Sequence, residues 1–144
     1  MKKLNAFTLT ELIIVIAIVG IIAAIAVPKI GRWINSTKVR QVAEQLTADL
    51  QFAQGLAMEK GSSKVKIYSD RYEIYAPETA TTPIKSITID DTNISLLSNF
   101  TNNEIKFRRN KLPITGGTIV ISGYGVTYNI VINNIGGRIQ LKRL

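Results

Sequence analysis

The sequence predicts an α+β fold in which a long N-terminal helix packs on an antiparallel β-sheet head. Three observations predict it. Residues 12–27 contain no charged or strongly polar side chain. Apolar residues then recur at three- and four-residue spacing as far as about residue 60, which is the period of a helix with one buried face. Beyond Gly61 the period changes to two, which is the period of a half-buried strand.

The composition excludes several classes of catalytic and metal site. The 144 residues include no cysteine and no histidine. Disulfides, thiolate chemistry, the usual zinc ligands and Ser-His or Cys-His pairs are therefore excluded. Carboxylates and lysines remain, and we interpret the pair Asp90-Asp91 as a solvated loop pair. We expect a chain that is not an enzyme and that binds no cofactor or metal.

The first thirty residues predict a segment that spans a membrane. As a helix, residues 7–27 would be about 30 Å long, the thickness of a hydrocarbon core. Lys2 and Lys3 precede this segment, and the positive-inside rule keeps such an end in the cytoplasm. We expect a single-pass protein of the cytoplasmic (inner) membrane with its head outside the cytoplasm. Gly20 and Pro28 are expected to interrupt the helix, and Pro28 to bend it where it leaves the membrane.

A cleaved secretory signal is the alternative interpretation of this segment. Residues 24–26, Ala-Ile-Ala, provide the small-residue site that such a signal needs. Glu11 favours the membrane helix. A carboxylate within an apolar span is costly and normally has a function and a partner, whereas a discarded signal peptide has no use for one. We therefore expect the mature protein to keep the segment.

Residues 6–12, Ala-Phe-Thr-Leu-Thr-Glu-Leu, followed by the apolar run, resemble the class III leader of type IV prepilins and pseudopilins. In that family a prepilin peptidase cuts after a small residue, normally glycine, and methylates the new N-terminal phenylalanine. The resemblance implies a leader of residues 1–6, cleavage between Ala6 and Phe7, and N-methylation of Phe7. Alanine replaces the usual glycine here and keeps the requirement for a small residue.

The resemblance also implies an assembly role for Glu11. Its carboxylate would lie one helical turn beyond the new α-amino group of Phe7 and could neutralise that amine in its own chain or in a neighbouring subunit. A partner met only on assembly would favour transfer of the subunit from lipid into a growing filament. The expected partners are other pilin or pseudopilin subunits, the prepilin peptidase and the inner-membrane assembly platform.

Residues 7–28 are thus predicted to form the transmembrane and assembly helix, and residues 29–60 an amphipathic helix that belongs to the head. Trp33 is expected at the membrane interface. Gly61 and the two serines after it are expected to end the helix. The buried stripe is predicted to comprise Val39, Val42 or Ala43, Leu46, Leu50, Ala53 and Ala57.

Residues 61–144 are predicted to form the antiparallel head. Residues 77–83 and 91–104 are rich in Thr, Asn and Pro and are predicted to be loops. Hairpin turns are predicted at residues 123–125 and 133–137. The predicted strands are 64–68, 72–75, 84–89, 105–108, 118–122, 126–132 and 138–141.

The second half of the chain resembles the GspH/FimT class of minor pilins and pseudopilins. The resemblance is carried by residues 46–54 of the helix, Leu-Thr-Ala-Asp-Leu-Gln-Phe-Ala-Gln, and by residues 134–139, Asn-Ile-Gly-Gly-Arg-Ile. It implies a structural minor subunit of a type II secretion pseudopilus, a type IV pilus or a competence pilus, and it leaves these three open. The disulfide-bounded loop of many major pilins is excluded by the lack of cysteine.

The net charge of +8 is concentrated at the C-terminal end, because residues 106–144 include seven bases and no acid. Two interpretations stay open. One is capture of DNA phosphates for uptake, which the resemblance to FimT-like members implies, with Tyr124 available to stack on a base. The other is a solvated surface or one that faces lipid or acidic subunits, which Gln140 favours because DNA-binding members tend to have a base there. The candidate DNA-binding residues are Lys106, Arg108, Arg109, Arg138, Lys142 and Arg143.

Overall fold

The computed structural model describes residues 8–144, apart from the side chain of Pro28. The chain divides into two compact units, Met1–Asn35 and Ser36–Leu144. We call the first the helical unit and the second the head unit. The head unit begins at Ser36, whereas the predicted helix of the head begins at residue 29.

One helix, α1 (Leu9–Lys60), contributes residues to both units. It passes through Gly20 and Pro28 without a break, so the expected interruption at these two positions is wrong. A proline removes a single N–H donor, and the hydrogen bonds on either side of it are enough to continue the helix. The helix ends at Lys60 because Gly61 has a φ of +92°, the left-handed conformation that closes many helices.

The head unit contains two antiparallel four-stranded sheets, where the sequence predicts one. Its strands are β1 (Ser62–Ile67), β2 (Arg71–Tyr75), β3 (Lys85–Thr88), β4 (Ile94–Ser98), β5 (Glu104–Arg108), β6 (Gly117–Gly123), β7 (Val126–Ile132) and β8 (Ile139–Arg143). The first sheet has the order β3-β2-β1-β5 and the second the order β4-β6-β7-β8. A short 3₁₀ helix, Thr101–Asn103, precedes β5.

Strand β4 corrects the prediction that residues 91–104 form a loop. Ile94 and Leu96 are 4% and 1% exposed, and they alternate with Ser95 as a half-buried strand requires. The signal is short and lies among Asp, Asn and Ser residues, which are depleted in strands or favour turns. Pairing with β6 makes this segment a strand, since all five residues of β4 have partners in β6.

The core of the head unit consists of one face of the helix and the inner faces of both sheets. The predicted stripe is confirmed: Val39, Ala43, Leu46, Leu50, Ala53 and Ala57 are all 0% exposed. The strands contribute alternate residues, among them Val65, Ile74, Ile105, Phe107, Ile119 and Ile130. Burial of a large apolar side chain contributes about 1.5–3 kcal/mol, and this core lies entirely within the head unit.

Asp49 places a carboxylate inside this core, where it is 4% exposed. It accepts hydrogen bonds from the Tyr72 hydroxyl at 2.7 Å, Lys85 Nζ at 2.6 Å and Gln45 Nε2 at 3.2 Å. Burial alone would raise the pKa of Asp49, but these three donors, with the positive charge of Lys85, lower it below its ordinary value. The cluster joins the helix to β2 and β3, so a satisfied polar network fixes this part of the first sheet.

We expect Tyr72→Phe to lower the free energy of unfolding of the head unit by about 1.5–3 kcal/mol, the usual contribution of a hydrogen bond to a charged group. The loss arises because the buried carboxylate of Asp49 keeps its charge and loses a donor. Urea denaturation of residues 36–144 at neutral pH measures it. Tyr75→Phe is the matched control, because the Tyr75 hydroxyl bonds Glu73 in a part-buried position and its loss should cost less. Equal losses for the two variants would contradict the role given to Asp49.

The same cluster predicts a loss of stability in acid. The pKa of Asp49 is lower in the folded state than the value of about 3.9 expected in the unfolded chain. Its contribution is therefore complete above about pH 4 and is lost as the pH falls through the folded-state pKa. Denaturation midpoints measured between neutral pH and pH ~2 should fall less steeply for Asp49→Asn than for the unchanged chain. Parallel curves would contradict this prediction.

Candidate assembly site and basic surface

The helical unit exposes an apolar surface on all sides. Its large apolar side chains from Leu9 to Ile34 are between 45% and 76% exposed. Within the described residues, α1 is the one helix long and apolar enough to cross a membrane. A helix that is apolar all round needs lipid or other helices around it, so this surface must be covered by something outside the chain.

Glu11 and Thr8 form a capping box at the start of this helix. The Thr8 N–H and the Thr8 hydroxyl each donate to Glu11 Oε2 at 2.9 Å, and the Glu11 N–H donates to Thr8 Oγ1 at 3.2 Å. These bonds satisfy N–H groups that have no partner within a helix. A carboxylate in the first turn also complements the positive end of the helix dipole.

The capping box gives Glu11 hydrogen-bond partners in its own chain that were not predicted from the sequence. Its signal is the spacing Thr8-x-x-Glu11, the sequence signature of a capping box. Both bonds to the carboxylate use Oε2. The cleavage and methylation positions, Ala6 and Phe7, lie outside the described residues, and so does the amine expected to pair with Glu11.

The candidate DNA-binding residues do not all lie on one surface. Lys106 and Arg108 are on the outer face of β5, in the first sheet, opposite Lys64 and Ser62. Lys106 Nζ lies 3.6 Å from Glu104 and 4.0 Å from Glu78, so its charge is partly neutralised. The remaining C-terminal bases make no ion pair with the described residues.

Strand β8 separates Lys142 from Arg143. Residues directly opposite each other in paired strands point to the same face. Lys142 is opposite Asn129 on the outer face, while Arg143 is opposite Tyr128, which is 7% exposed and belongs to the core side. The two bases therefore face opposite sides of an edge strand.

Further bases lie on loops near the C-terminal end of the helix. Gln54 Nε2 donates to the carbonyl oxygens of Lys111 at 3.0 Å and Gly137 at 2.7 Å, and so holds two loops to the helix. Arg138 follows Gly137 directly. Arg109 lies beside Gly61 at the end of the helix, because a Cβ built on Gly61 would be 3.5 Å from its Nη2. A guanidinium here complements the negative end of the helix dipole.

Tyr124 is bonded within the chain. It forms the β6–β7 turn with Gly125, and the two have φ values of +52° and +73°, as a tight hairpin turn requires. Its hydroxyl lies 2.7 and 2.9 Å from the two carboxylate oxygens of Asp91, which also accepts from Lys38 Nζ at 3.2 Å. The bond from Tyr124 is the main reason that the pKa of Asp91 falls to about 2. The residue as a whole remains 38% exposed.

Residues 8–144 contain no group of three or more Asp and Glu side chains arranged to hold a metal ion. The surface features of the described residues are an apolar helix, its capped N-terminus and bases distributed over both sheets and the loops near the end of the helix.

Known proteins resemble this chain in both parts. The prokaryotic N-terminal methylation motif matches residues 1–27, and the apolar helix with this motif is that of a membrane-anchored pilin. A fimbrial protein of Pseudomonas aeruginosa is 39% identical over 59 residues, which are 41% of this chain and 38% of that protein. This match thus spans under two fifths of the relative's length. Competence protein ComGD of Bacillus subtilis is 26% identical over 98% of this chain and 97% of its own.

Two solved structures share the fold. The type IV minor pilin FimU of P. aeruginosa superposes with a TM-score of 0.62 at 17% identity, over 74% of this chain and 89% of FimU. The minor pseudopilin EpsH of the Vibrio cholerae type 2 secretion system gives a TM-score of 0.56 at 12% identity, over 74% of this chain and 96% of EpsH. The fold is therefore that of a minor pilin or pseudopilin.

The family described as type II transport protein GspH matches residues 42–136, which covers most of the head unit and more than half of the chain. The chain belongs to the GspH family of minor pilins and pseudopilins.

Proposed function

We propose that this protein is a structural subunit of a filament assembled at a cell envelope, and that it is not an enzyme. The observation that carries the proposal is an apolar helix, exposed on every side, joined in one chain to a head of the GspH family. Such a helix is stable in lipid and equally stable among the helices of neighbouring subunits. The protein is thus first inserted in the membrane and is then incorporated into the filament.

The proposed topology is a single pass through the cytoplasmic membrane. Lys2 and Lys3 remain on the cytoplasmic side, and the head unit lies outside the cytoplasm. A prepilin peptidase removes residues 1–6 and methylates Phe7, and an inner-membrane assembly platform adds the subunit to other pilins or pseudopilins. The match to the N-terminal methylation motif supports the processing step.

The mature protein isolated from its native host is expected to begin with N-methylated Phe7. Intact mass and N-terminal sequencing measure this directly. Ala6→Gly should be processed at least as fast, because glycine is the usual residue at this position in the family. A mature chain that begins at Val27 would show that the apolar helix is a discarded signal and would end the proposal.

Glu11 is proposed to act in assembly through its charge. In the membrane-inserted subunit Thr8 is its partner, and in the filament the amine of a neighbouring Phe7 joins or replaces Thr8. A charge-assisted bond to an amine is stronger than a bond between neutral groups. The exchange therefore favours the filament over the isolated subunit.

Three variants distinguish the effect of the Glu11 charge on assembly from the effect of the hydrogen bonds by which Glu11 caps the helix. Glu11→Ala and Glu11→Gln should both leave the protein in the membrane and reduce its amount in sheared filaments at least ~10-fold. Glutamine can still complete a capping box, so only the charge is lost in that variant. Thr8→Ala keeps the charge and should assemble. If Glu11→Gln assembles normally while Thr8→Ala does not, Glu11 acts through its cap, and the charge mechanism is wrong.

DNA binding by the head unit is the second candidate function. The similarity to a competence protein over nearly the whole chain favours it, as do the C-terminal bases without ion pairs. Arg138 and Lys142 are the exposed candidates that flank the outer face of the second sheet. The bases would bind phosphates, which give affinity without sequence preference.

The head unit, residues 36–144, should then retard duplex DNA in gels at low salt. Changing Arg138, Lys142 and Arg143 together to alanine should weaken binding at all sequences. The slope of the logarithm of affinity against the logarithm of salt concentration should also become shallower, by about one unit for each phosphate that the variant no longer neutralises. Lys106→Ala is the matched control, because its charge is already partly neutralised. Unchanged retardation by the triple variant would exclude this role for the three bases.

A further inference from the structure

The two sheets of the head unit have four edge strands, β3, β5, β4 and β8, and two of them are covered by backbone of the same chain. Beside β5, the Arg108 N–H donates to the carbonyl of Leu112 at 3.0 Å. Beside β4, the Leu96 N–H donates to the carbonyl of Ser69 at 3.0 Å. Within the described residues, β3 and β8 therefore remain as open edges.

The two open edges differ in their side chains. Strand β8 carries Lys142 and Arg143, and charged side chains on an edge strand discourage pairing with another strand. On β3 the residues of the outer face are Ser86 and Thr88, which are exposed and uncharged. Strand β3 is therefore the edge whose side chains allow a further strand to pair.

The backbone of β3 directs hydrogen-bonding groups away from its partner strand β2. The Ile89 N–H, just beyond β3, donates to the carbonyl of Asp70 at 2.7 Å, so it faces β2. Alternate residues of an antiparallel pair face the partner strand, so Ile87 has the same direction as Ile89. Ser86 and Thr88 lie between these positions and direct their N–H and C=O groups to the open side of the sheet.

An apolar groove of about 390 Å³ lies between the helix and this open edge. Val42, Ile87 and Ile89 form much of its lining and are only partly buried. A strand paired with β3 would point every second side chain to the side of the sheet on which the groove lies. The groove therefore favours a strand with apolar residues at alternate positions.

The rim of the groove adds a preference for positive charge. Asp91 is paired with Lys38 at 3.2 Å, whereas Asp90 is exposed and makes no ion pair with the described residues. A lysine or arginine near the end of an added strand would pair with Asp90, and complementary charges of this kind fix orientation. The open backbone, the groove and Asp90 thus fit one occupant, an extended segment with alternate apolar residues and a base.

We propose that β3 binds an extended segment of a different protein as a fifth strand of the first sheet, with alternate apolar side chains in the groove and a base beside Asp90. In this mode of binding, β-strand addition, main-chain hydrogen bonds give affinity and the pockets for alternate side chains give specificity. It requires neither a second copy of the chain nor a filament, so it goes beyond the proposed function.

A fluorescent heptapeptide with blocked termini, Lys-Val-Thr-Val-Thr-Val-Lys, is the probe. Fluorescence anisotropy measures its binding to the full chain in lipid nanodiscs. N-methylation of the valine amides removes the donors on one edge of the peptide, and N-methylation of the threonine amides removes donors on the other edge. One of the two methylated peptides should bind at least ~10-fold more weakly than the unmodified peptide, because two or more hydrogen bonds are lost. The other should bind nearly as well as the unmodified peptide.

Three outcomes would overturn the proposal. Equal affinities of the two methylated peptides would show that the peptide does not pair with an edge strand. Absence of binding at ~1 mM peptide would show that the edge and the groove do not form a site. Release of bound peptide as the chain is made more concentrated would assign the edge to a second copy and reject a different protein as its occupant.

Ser86→Pro tests the edge from the side of the protein. Proline removes the N–H that Ser86 directs to the open side, and an edge strand tolerates proline at such a position. The variant should bind the heptapeptide about 3- to 10-fold more weakly, whereas Ser86→Ala, the matched control, keeps the N–H and its affinity. Equal binding by the two variants would reject pairing at β3. If proline lowers the urea denaturation midpoint, the methylated peptides decide the question without it.

Asp90→Asn tests the base. This change should weaken binding of the heptapeptide about two- to threefold, an ordinary effect for an exposed ion pair. A peptide with threonine in place of both lysines should bind the variant and the unchanged chain equally well. Equal losses for the two peptides would reject the pairing of a base with Asp90. These measurements need neither leader removal nor Glu11, so their results are independent of the filament assays above.

Discussion

The packing of one helical stripe against two sheets is the constraint on which the head unit depends. Six helical residues from Val39 to Ala57 are completely buried. Each sheet is antiparallel and buries alternate residues on one side, and these residues form one core with the helical stripe. The helix in turn has no partner for its stripe other than the sheets. The helix and the two sheets therefore depend on one another for a buried core.

Most of this arrangement could be predicted from the sequence, because period is a strong signal over long segments. The stripe, its end at Gly61 and strand β7 all have the predicted positions. The division into two sheets could not be predicted. Nothing in the order of the strands shows that β4 pairs with β6 across the intervening β5, since that choice depends on contacts between distant residues.

Some features of the candidate sites likewise depend on residues that are neighbours in the sequence, and others on contacts between residues far apart in it. The capping box of Thr8 and Glu11 is a local pattern and was open to prediction from spacing alone. Asp49 was not, because its three donors come from the helix, β2 and β3. The basic residues show most clearly what cannot be predicted from the sequence alone. Their number is visible in the sequence, but whether Lys142 and Arg143 share a face depends on the register of β8 against β7.

The alanines of the buried stripe have a further consequence. Ala43, Ala53 and Ala57 have short side chains and are fully buried, so the neighbouring backbones approach the helix closely. The carbonyl of Ala53 even accepts a bond from Ser63 Oγ at 2.6 Å. A bulkier side chain at these positions would have to displace strands that are paired along their length. Substitutions in this head are therefore least disruptive in its loops and on its outer faces, where new side chains displace only water.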